Sequence, residues 1–409
     1  MTPFWIYFCS SFVSLLGSNF LLFSQGWYLL QISGSKASVG LTWSLFFLPS
    51  LLVLPFLGQI FDSPRLKAML ERLERAKIFL FVLFFGLLSF SPRPELVLLL
   101  SVLYGICFVP YHPSVYVMVK RLVPPESQAR YSYFFEISLQ LANIIAVLAS
   151  GWLFDKFGFL TLLLLSAGFV VLGLLGLRRV DETALTLPAA SAVKHTENPY
   201  RRLWTLFWKN AGPGGELERR QFWFGVFHQI PQGVILVGNV PMILYVSDVM
   251  KKGAWEFGLL DGVFGLAALL ISVFWSARKN WIPNVRDNAL MSLLGGVTIA
   301  SVALIPGTGL WPYLWMTFYG ALLVSNKLFA RAAIVAWVPK EKMGTFSTLF
   351  QMTGTMMMMG LFLVESAILQ SHGVIAGYAF LAMVLIVYSG CLFLLNTAPN
   401  RSRTAAMVG

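Results

Sequence analysis

The residues of this 409-residue chain that could do chemistry sit inside apolar runs. Lys327 and Arg331, four apart and next to Asn326, share one face of any helix built over 312–336. Glu136, Asp261 and Glu365 lie in three other runs. A charge in the middle of a hydrocarbon span costs about 3 kcal/mol on insertion scales, so each such residue is a candidate for function. Buried cations suit an anionic or zwitterionic group on a solute. A carboxylate buried away from water can carry a proton, and Glu136 and Asp261 are the candidates; Glu365, nearer a span end, reads as structural. Gln25 and Tyr28 are three apart, as are Gln229 and Gln232, with Asn239 following and Asn19, Trp27 and His228 nearby. Amides beside aromatics suit an amphipathic organic molecule. Each also has a plainer use: the amides can join helices, Lys327 and the carboxylates can form fixed ion pairs, and Arg331 can reach to the membrane surface.

The elements that must hold these groups are membrane spans. Hydrophobic residues make up 57% of the chain and charged residues 12%, which leaves too little polar surface to face water. The apolar runs are close to the twenty residues that cross a hydrocarbon core of about 30 Å. Twelve are expected, at 4–31, 39–61, 77–90, 96–119, 131–154, 160–177, 222–246, 255–276, 288–305, 312–336, 345–370 and 374–395; the third is short and should extend into its flanks. The first run has no basic lead and is too long for a cleaved signal, so it should remain.

The net charge of +12 follows the loops rather than forming a nucleic-acid patch. With the N-terminus in the cytoplasm, the outer loops hold Lys36, Arg93, Lys156, Lys251 and Lys252. Lys327 lies within a span, and the remaining 24 of the 30 Lys and Arg fall on the cytoplasmic side, in the loops or toward the cytoplasmic ends of spans. Both termini are therefore expected inside, at the plasma (inner) membrane. The connection 178–220 is polar and basic, and its stretch Tyr-Arg-Arg-Leu-Trp-Thr-Leu-Phe-Trp-Lys at 200–209 suits an amphipathic helix on an anionic leaflet. The expected organisation is a six-helix bundle at 1–177, a linker at 178–220, a second bundle at 221–396 and a tail at 397–409.

The two halves repeat. Phe4-Trp5 recurs as Phe222-Trp223 at an offset of 218, which also carries Gly40 onto Gly258. Val123-Pro124-Pro125-Glu126 recurs as Val338-Pro339-Lys340-Glu341 at an offset of 215, which carries Gly158 onto Gly373, Ser132 onto Ser347 and Phe135 onto Phe350. The same offset sets His112 opposite Lys327 and Tyr116 opposite Arg331, and predicts a basic binding axis across the pseudo-two-fold. His112 lies between Pro110 and Pro113, where a kinked helix exposes backbone groups.

After the second run comes Gly58-Gln59-Ile60-Phe61-Asp62-Ser63-Pro64-Arg65-Leu66-Lys67. With the parallel repeat, this resembles the signature of the major facilitator superfamily. Further pieces resemble its drug- and siderophore-exporter branch: Gly17-Ser18, Gly34-Ser35, Val39-Gly40, Pro49, Gly105, Pro110 and Gln140-Leu141-Ala142-Asn143. The resemblance implies an all-α integral membrane fold of twelve transmembrane helices in two six-helix bundles, with helices 1, 4, 7 and 10 lining a cavity. It implies that Gly58, Asp62, Arg65 and Lys67 latch the cytoplasmic side. The sequence departs from the branch at Ser63, at Asn280 in the second copy, at Ser101, Val102 and Tyr104 where antiporters carry an arginine, and at 145–151, which lacks a Gly-Pro pattern.

The expectation is a secondary transporter exporting a drug-like or siderophore-like solute against a proton gradient; uptake of such a solute, or lipid transport, is the alternative. The substrate-binding candidates are Gln25, Tyr28, His112, Tyr116, Gln229, Gln232, Asn239, Asn326, Lys327 and Arg331. The expected partners are a small molecule, membrane lipids and protons, with no nucleic acid, and the protein is expected to be a monomer. Neither cofactor nor metal is expected. Cys9, Cys107 and Cys391 are far apart and read as small buried residues, and consecutive Met356–Met359 point in different directions and read as packing. No His-Glu-x-x-His, paired catalytic aspartate motif or phosphate-binding glycine loop occurs, so an enzyme or a nucleotide-driven pump is not expected.

Overall fold

The computed structural model describes residues 2–61, 66–111, 114, 118, 121–123, 128–181, 198–212, 217–276, 284–338 and 343–397. Helix α1 (Pro3–Ser33) stops at Gly34, whose φ of 63° lets its N–H turn back to Leu30 O. Helices α2 (Lys36–Phe61), α3 (Leu66–Phe90) and α4 (Pro94–Phe108) follow. The run Gln128–Arg178 is divided at Gly158, where φ is 77°, into α5 (128–157) and α6 (159–178). The linker carries α7 (Pro199–Ala211). The second half holds α8 (Arg219–Val249), α9 (Ala254–Ser276), α10 (Val285–Leu304), α11 (Trp311–Trp337), α12 (Met343–His372) and α13 (Val374–Thr397).

Spans one to six are thus α1–α6, and spans seven to twelve are α8–α13, giving the expected all-helical pair of six-helix bundles. Among the described residues, seven helices are long and apolar enough to cross a membrane by themselves. The outward faces of the spans carry Phe79, Leu172, Leu270, Phe318 and Val387, apolar side chains exposed where lipid rather than water is the solvent. We call the end bearing the two chain termini the near end, and the end bearing the turns at Gly34, Gly158 and Gly373 the far end.

The structure refines or corrects the sequence reading at several places. The third span extends into its flank as expected, beginning at Leu66 rather than Lys77. Hydropathy falls where Glu71, Arg72, Glu74 and Arg75 cluster, yet Leu66, Lys67, Leu70, Glu74 and Lys77 form one buried face. The seventh span stays right-handed helical throughout, but its hydrogen-bond ladder is irregular near His228–Gln229 and Gly238, and it widens into a π turn over Tyr245–Val249. Pro231 and Pro241 lack the N–H groups a continuous ladder needs. Only Cys107 of the three cysteines is buried; Cys9 and Cys391 lie on exposed helix faces, where an apolar solvent makes burial unnecessary. Met356 is exposed and Met358 buried, as consecutive helical positions require.

Candidate functional site

The halves are joined at the far end by two related contacts. Gly40 of α2 lies against Ser366 of α12 so closely that a Cβ would overlap the serine hydroxyl. Gly258 of α9 lies against Val147 O and Gly151 of α5 in the same way. Trp43 of α2 stacks on Phe362 of α12, with ring planes 3° apart. Each contact ends in a helix cap supplied by the other half. The Asp155 carboxylate accepts the backbone N–H groups of Ala254 (3.2 Å) and Trp255 (2.8 Å), two of the donors left open at the start of α9. Gln370 Oε1 accepts the N–H of Ala37 (3.4 Å) at the start of α2. The repeat offsets found in the sequence relate these pairs: Gly40 to Gly258, Ser366 to Gly151, Gln370 to Asp155, and Ala37 to Trp255.

Beneath this closure the second half holds an acidic and aromatic cluster. Trp315 and Tyr319 of α11 are stacked at 5.3 Å, and Tyr378 of α13 meets Trp315 edge-on at 5.4 Å. Tyr245 of α8 adjoins Tyr378, and the Tyr319 hydroxyl reaches Val234 O at 3.4 Å. Asp261 of α9 and Glu365 of α12 both lie within electrostatic reach of Tyr319. Asp261 is partly exposed; Glu365 is fully buried.

The first half holds an ion pair that the sequence reading missed. Lys77 Nζ donates to Glu74 Oε1 (2.9 Å) and to the Ser14 and Ser18 hydroxyls (both 3.2 Å), and lies 5.2 Å from the centre of the Tyr111 ring. Ser14 Oγ donates to Glu74 Oε2 at 2.8 Å. Each charge is thus partnered, and the pair fastens α3 to α1 inside the bundle. The i,i+3 spacing of Glu74 and Lys77, followed by an apolar run, was its signal in the sequence.

The predicted site residues are dispersed by this packing. Gln25 is fully buried between α1 and α4 and accepts from Ser101 Oγ at 3.3 Å. Tyr28 stacks on Phe159 of α6 at 4.3 Å. Gln229 contacts the His228 ring nitrogen at 3.0 Å and packs on Gly354, at the first irregular point of α8. Gln232 lies just after that point and Asn239 follows the second; both are partly buried. Gln229, Gln232 and Asn239 therefore lie beside the two irregular points of the α8 ladder, where Pro231 and Pro241 each remove one N–H donor.

Asn326 is turned into the second bundle. It donates to Ser292 of α10, and its backbone carbonyl accepts from Asn288. Asn326 is fully buried, and among the described residues its Oδ1 has no hydrogen-bond partner. Lys327, the next residue, is only partly buried and is engaged in a contact of its own. Arg331 and Glu136 lie on helices α11 and α5, but their side chains are outside the described residues, as are His112, Tyr116, Asp62 and Arg65. Gly58 lies in α2. Lys67 is buried at the start of α3. Its ammonium donates to Arg178 O (3.3 Å) and Val180 O (2.7 Å), capping the end of α6 within its own bundle, because a helix C-terminus offers unpaired carbonyls to a cation.

The architecture is thus two bundles joined through glycine contacts and reciprocal caps at one end, with polar groups along α8. Solved structures share it. The chain is similar to the nucleoside transporter NupG (12% identity, TM-score 0.73, covering 98% of this chain and 100% of that one). It is similar to a POT family transporter in complex with a thioalcohol-conjugated peptide (16%, 0.71, 96% and 96%). It also resembles a bacterial homologue of the iron transporter ferroportin in an inward-facing state (18%, 0.62, 95% and 98%). At these identities the likeness is one of fold. No curated protein matches the sequence. The family description Major Facilitator Superfamily matches residues 7–326, more than half of the chain. This protein is a multi-pass membrane transporter of a small solute and belongs to the major facilitator superfamily.

Proposed function

We propose that the protein exports a small amphipathic organic solute, drug-like or siderophore-like, in exchange for protons. The observation that carries this reading is the far-end closure, made by Gly40 on Ser366, Gly258 on Gly151, and the Asp155 and Gln370 caps. The basic residues concentrate at the near end, which the charge asymmetry assigns to the cytoplasm of a plasma (inner) membrane. In the export cycle proposed, a protein closed at the far end is in its cytoplasm-facing, solute-receiving state. Gln25, Tyr28, Gln229, Gln232 and Asn239 supply amide and aromatic contacts to the solute. His112, Tyr116, Lys327 and Arg331 supply the basic axis, and Glu136 and Asp261 take the proton. Asp62 and Arg65, with Gly58, latch the cytoplasmic side in the opposite state. The unit is a monomer in contact with lipid.

Flux into proteoliposomes tests the reading. A panel of amphipathic solutes is offered with and without an imposed pH gradient. Export by exchange predicts accumulation driven by the gradient and abolished by a protonophore. Accumulation indifferent to the gradient would remove the exchange, and no flux across the panel would remove the solute class.

A further inference from the structure

Glu365 is a buried acid with nothing to hold its charge. It is 0% exposed, and among the described residues neither carboxylate oxygen has a hydrogen-bond partner. The groups facing it from the surrounding helices are phenols and an acid. Tyr378 of α13 and Tyr319 of α11 lie within its electrostatic reach, Tyr245 of α8 adjoins Tyr378, and Asp261 of α9 shares Tyr319 with it. Trp43 and Phe47 of α2 meet the same helix at Phe362. The Tyr378 hydroxyl also has no partner. Gly377 packs so tightly on Glu365 Oε1 that a side chain there would collide with it, leaving no room for a bound cation on that side.

The repeat shows that this is a local specialisation. At the offset of 215, Glu365 corresponds to Ser150 of α5, a buried serine satisfied by Val147 O at 3.0 Å. The neighbours Ser366 and Gly151 correspond in the same way, and both form the far-end closure. One half thus has a satisfied neutral group behind its gate contact, and the other has an unpartnered carboxylate. Burying an ionised carboxylate without partners is strongly disfavoured, whereas the neutral acid is accommodated.

We infer that Glu365 is a proton-binding site whose neutral form holds the far end closed through its neighbour Ser366. A proton taken up when the far end is open allows the carboxyl group to bury as α12 seats on Gly40. Loss of that proton toward the near end, while the far end is closed, leaves an unpartnered charge behind the α2–α12 contact and so favours its parting. The step forms one O–H bond on the carboxylate and breaks one on hydronium or a buffer acid, and the reverse on release. This deepens the exchange reading, and Glu365 replaces a structural role with a chemical one.

Infrared difference spectra of the purified protein, recorded against pH without any solute, test the site apart from the transport reading. A carbonyl band from a protonated acid that titrates in the wild type is expected to be lost in Glu365→Gln, retained in Asp261→Asn and displaced in Glu365→Asp. A band unchanged in Glu365→Gln overturns the site. The link to the gate is read with spin labels at Lys156 and Lys252, exposed on opposite halves at the far end, in a variant lacking Cys9, Cys107 and Cys391. The short-distance population is expected to fall as pH rises in the wild type, and to stay high at all pH values in Glu365→Gln. An equal response in the two proteins overturns the coupling. Both readouts stand whether or not any solute flux is ever found.

Discussion

At the scale of single residues, the membrane changes what a charge means. Lys77 and Glu74 answer each other and two serines within one bundle, so their removal is felt as stability. Lys77→Met leaves Glu74 buried without its cation and is expected to cost about 3–5 kcal/mol. The double variant with Glu74→Gln should recover much of that loss, as thermal unfolding in detergent will read. Lys327, partly exposed on α11, is expected to behave differently. Lys327→Ala should weaken binding of anionic solutes by about tenfold or more, the worth of a charge-assisted hydrogen bond, and leave neutral solutes almost unaffected. Equal loss for both classes in a ligand-binding titration would return Lys327 to a structural role. The sequence singled out Lys327, Asp261 and Glu365 because each interrupts an apolar run. It passed over Glu74 because that residue sits among other charges, where hydropathy alone ends the span.

At the scale of elements, glycines and caps decide how the halves meet. Gly40 and Gly258 were visible as a repeated pair, yet their task was not, because a contact between halves is written on two distant segments. Asp155 and Gln370 were invisible for the same reason: each caps a helix in the opposite bundle. A lost N-cap is worth about 1 kcal/mol, or about a fivefold change in a two-state ratio. Asp155→Ala is therefore expected to raise the far-end-open population about fivefold. Gln370→Ala, with a single longer hydrogen bond, should do less. Labelling of a cysteine placed at Ala37 by a membrane-impermeant reagent, in a variant lacking the three native cysteines, measures both. Unchanged labelling in Asp155→Ala would mean that the glycine contacts alone close the gate.

At the scale of the whole molecule, the parallel repeat made the architecture legible: two offsets, of 218 and 215, carry the turns at Gly158 and Gly373, the gate glycines and the caps onto one another. What the repeat could not foretell is where the halves differ, at the irregular α8 with its π turn, at Glu365 against Ser150, and at the linker. Helix α7 belongs to neither bundle and touches both. Tyr200 donates to Leu51 O and Leu52 O of α2 at 3.3 and 2.7 Å; Leu51 O lacks its usual helical donor because Pro55 has no N–H. Phe207 packs on Phe222 and Trp223 of α8, while Trp204 and Trp208 are exposed on a helix bearing Arg201 and Lys209, the composition of a membrane-surface helix. The helix is thus a strap joining the near ends of α2 and α8, opposite the gate that joins α2 to α12. A strap at one end limits how far the halves part there when the other end closes. Tyr200→Phe removes its hydrogen bonds to α2, worth about 1 kcal/mol, and keeps the ring against Phe56. The near-end separation between spin labels on α2 and α8 should then broaden toward longer distances, with far-end distances unchanged. Broadening at both ends would instead make α7 part of the general packing, and no change would leave the strap without mechanical effect.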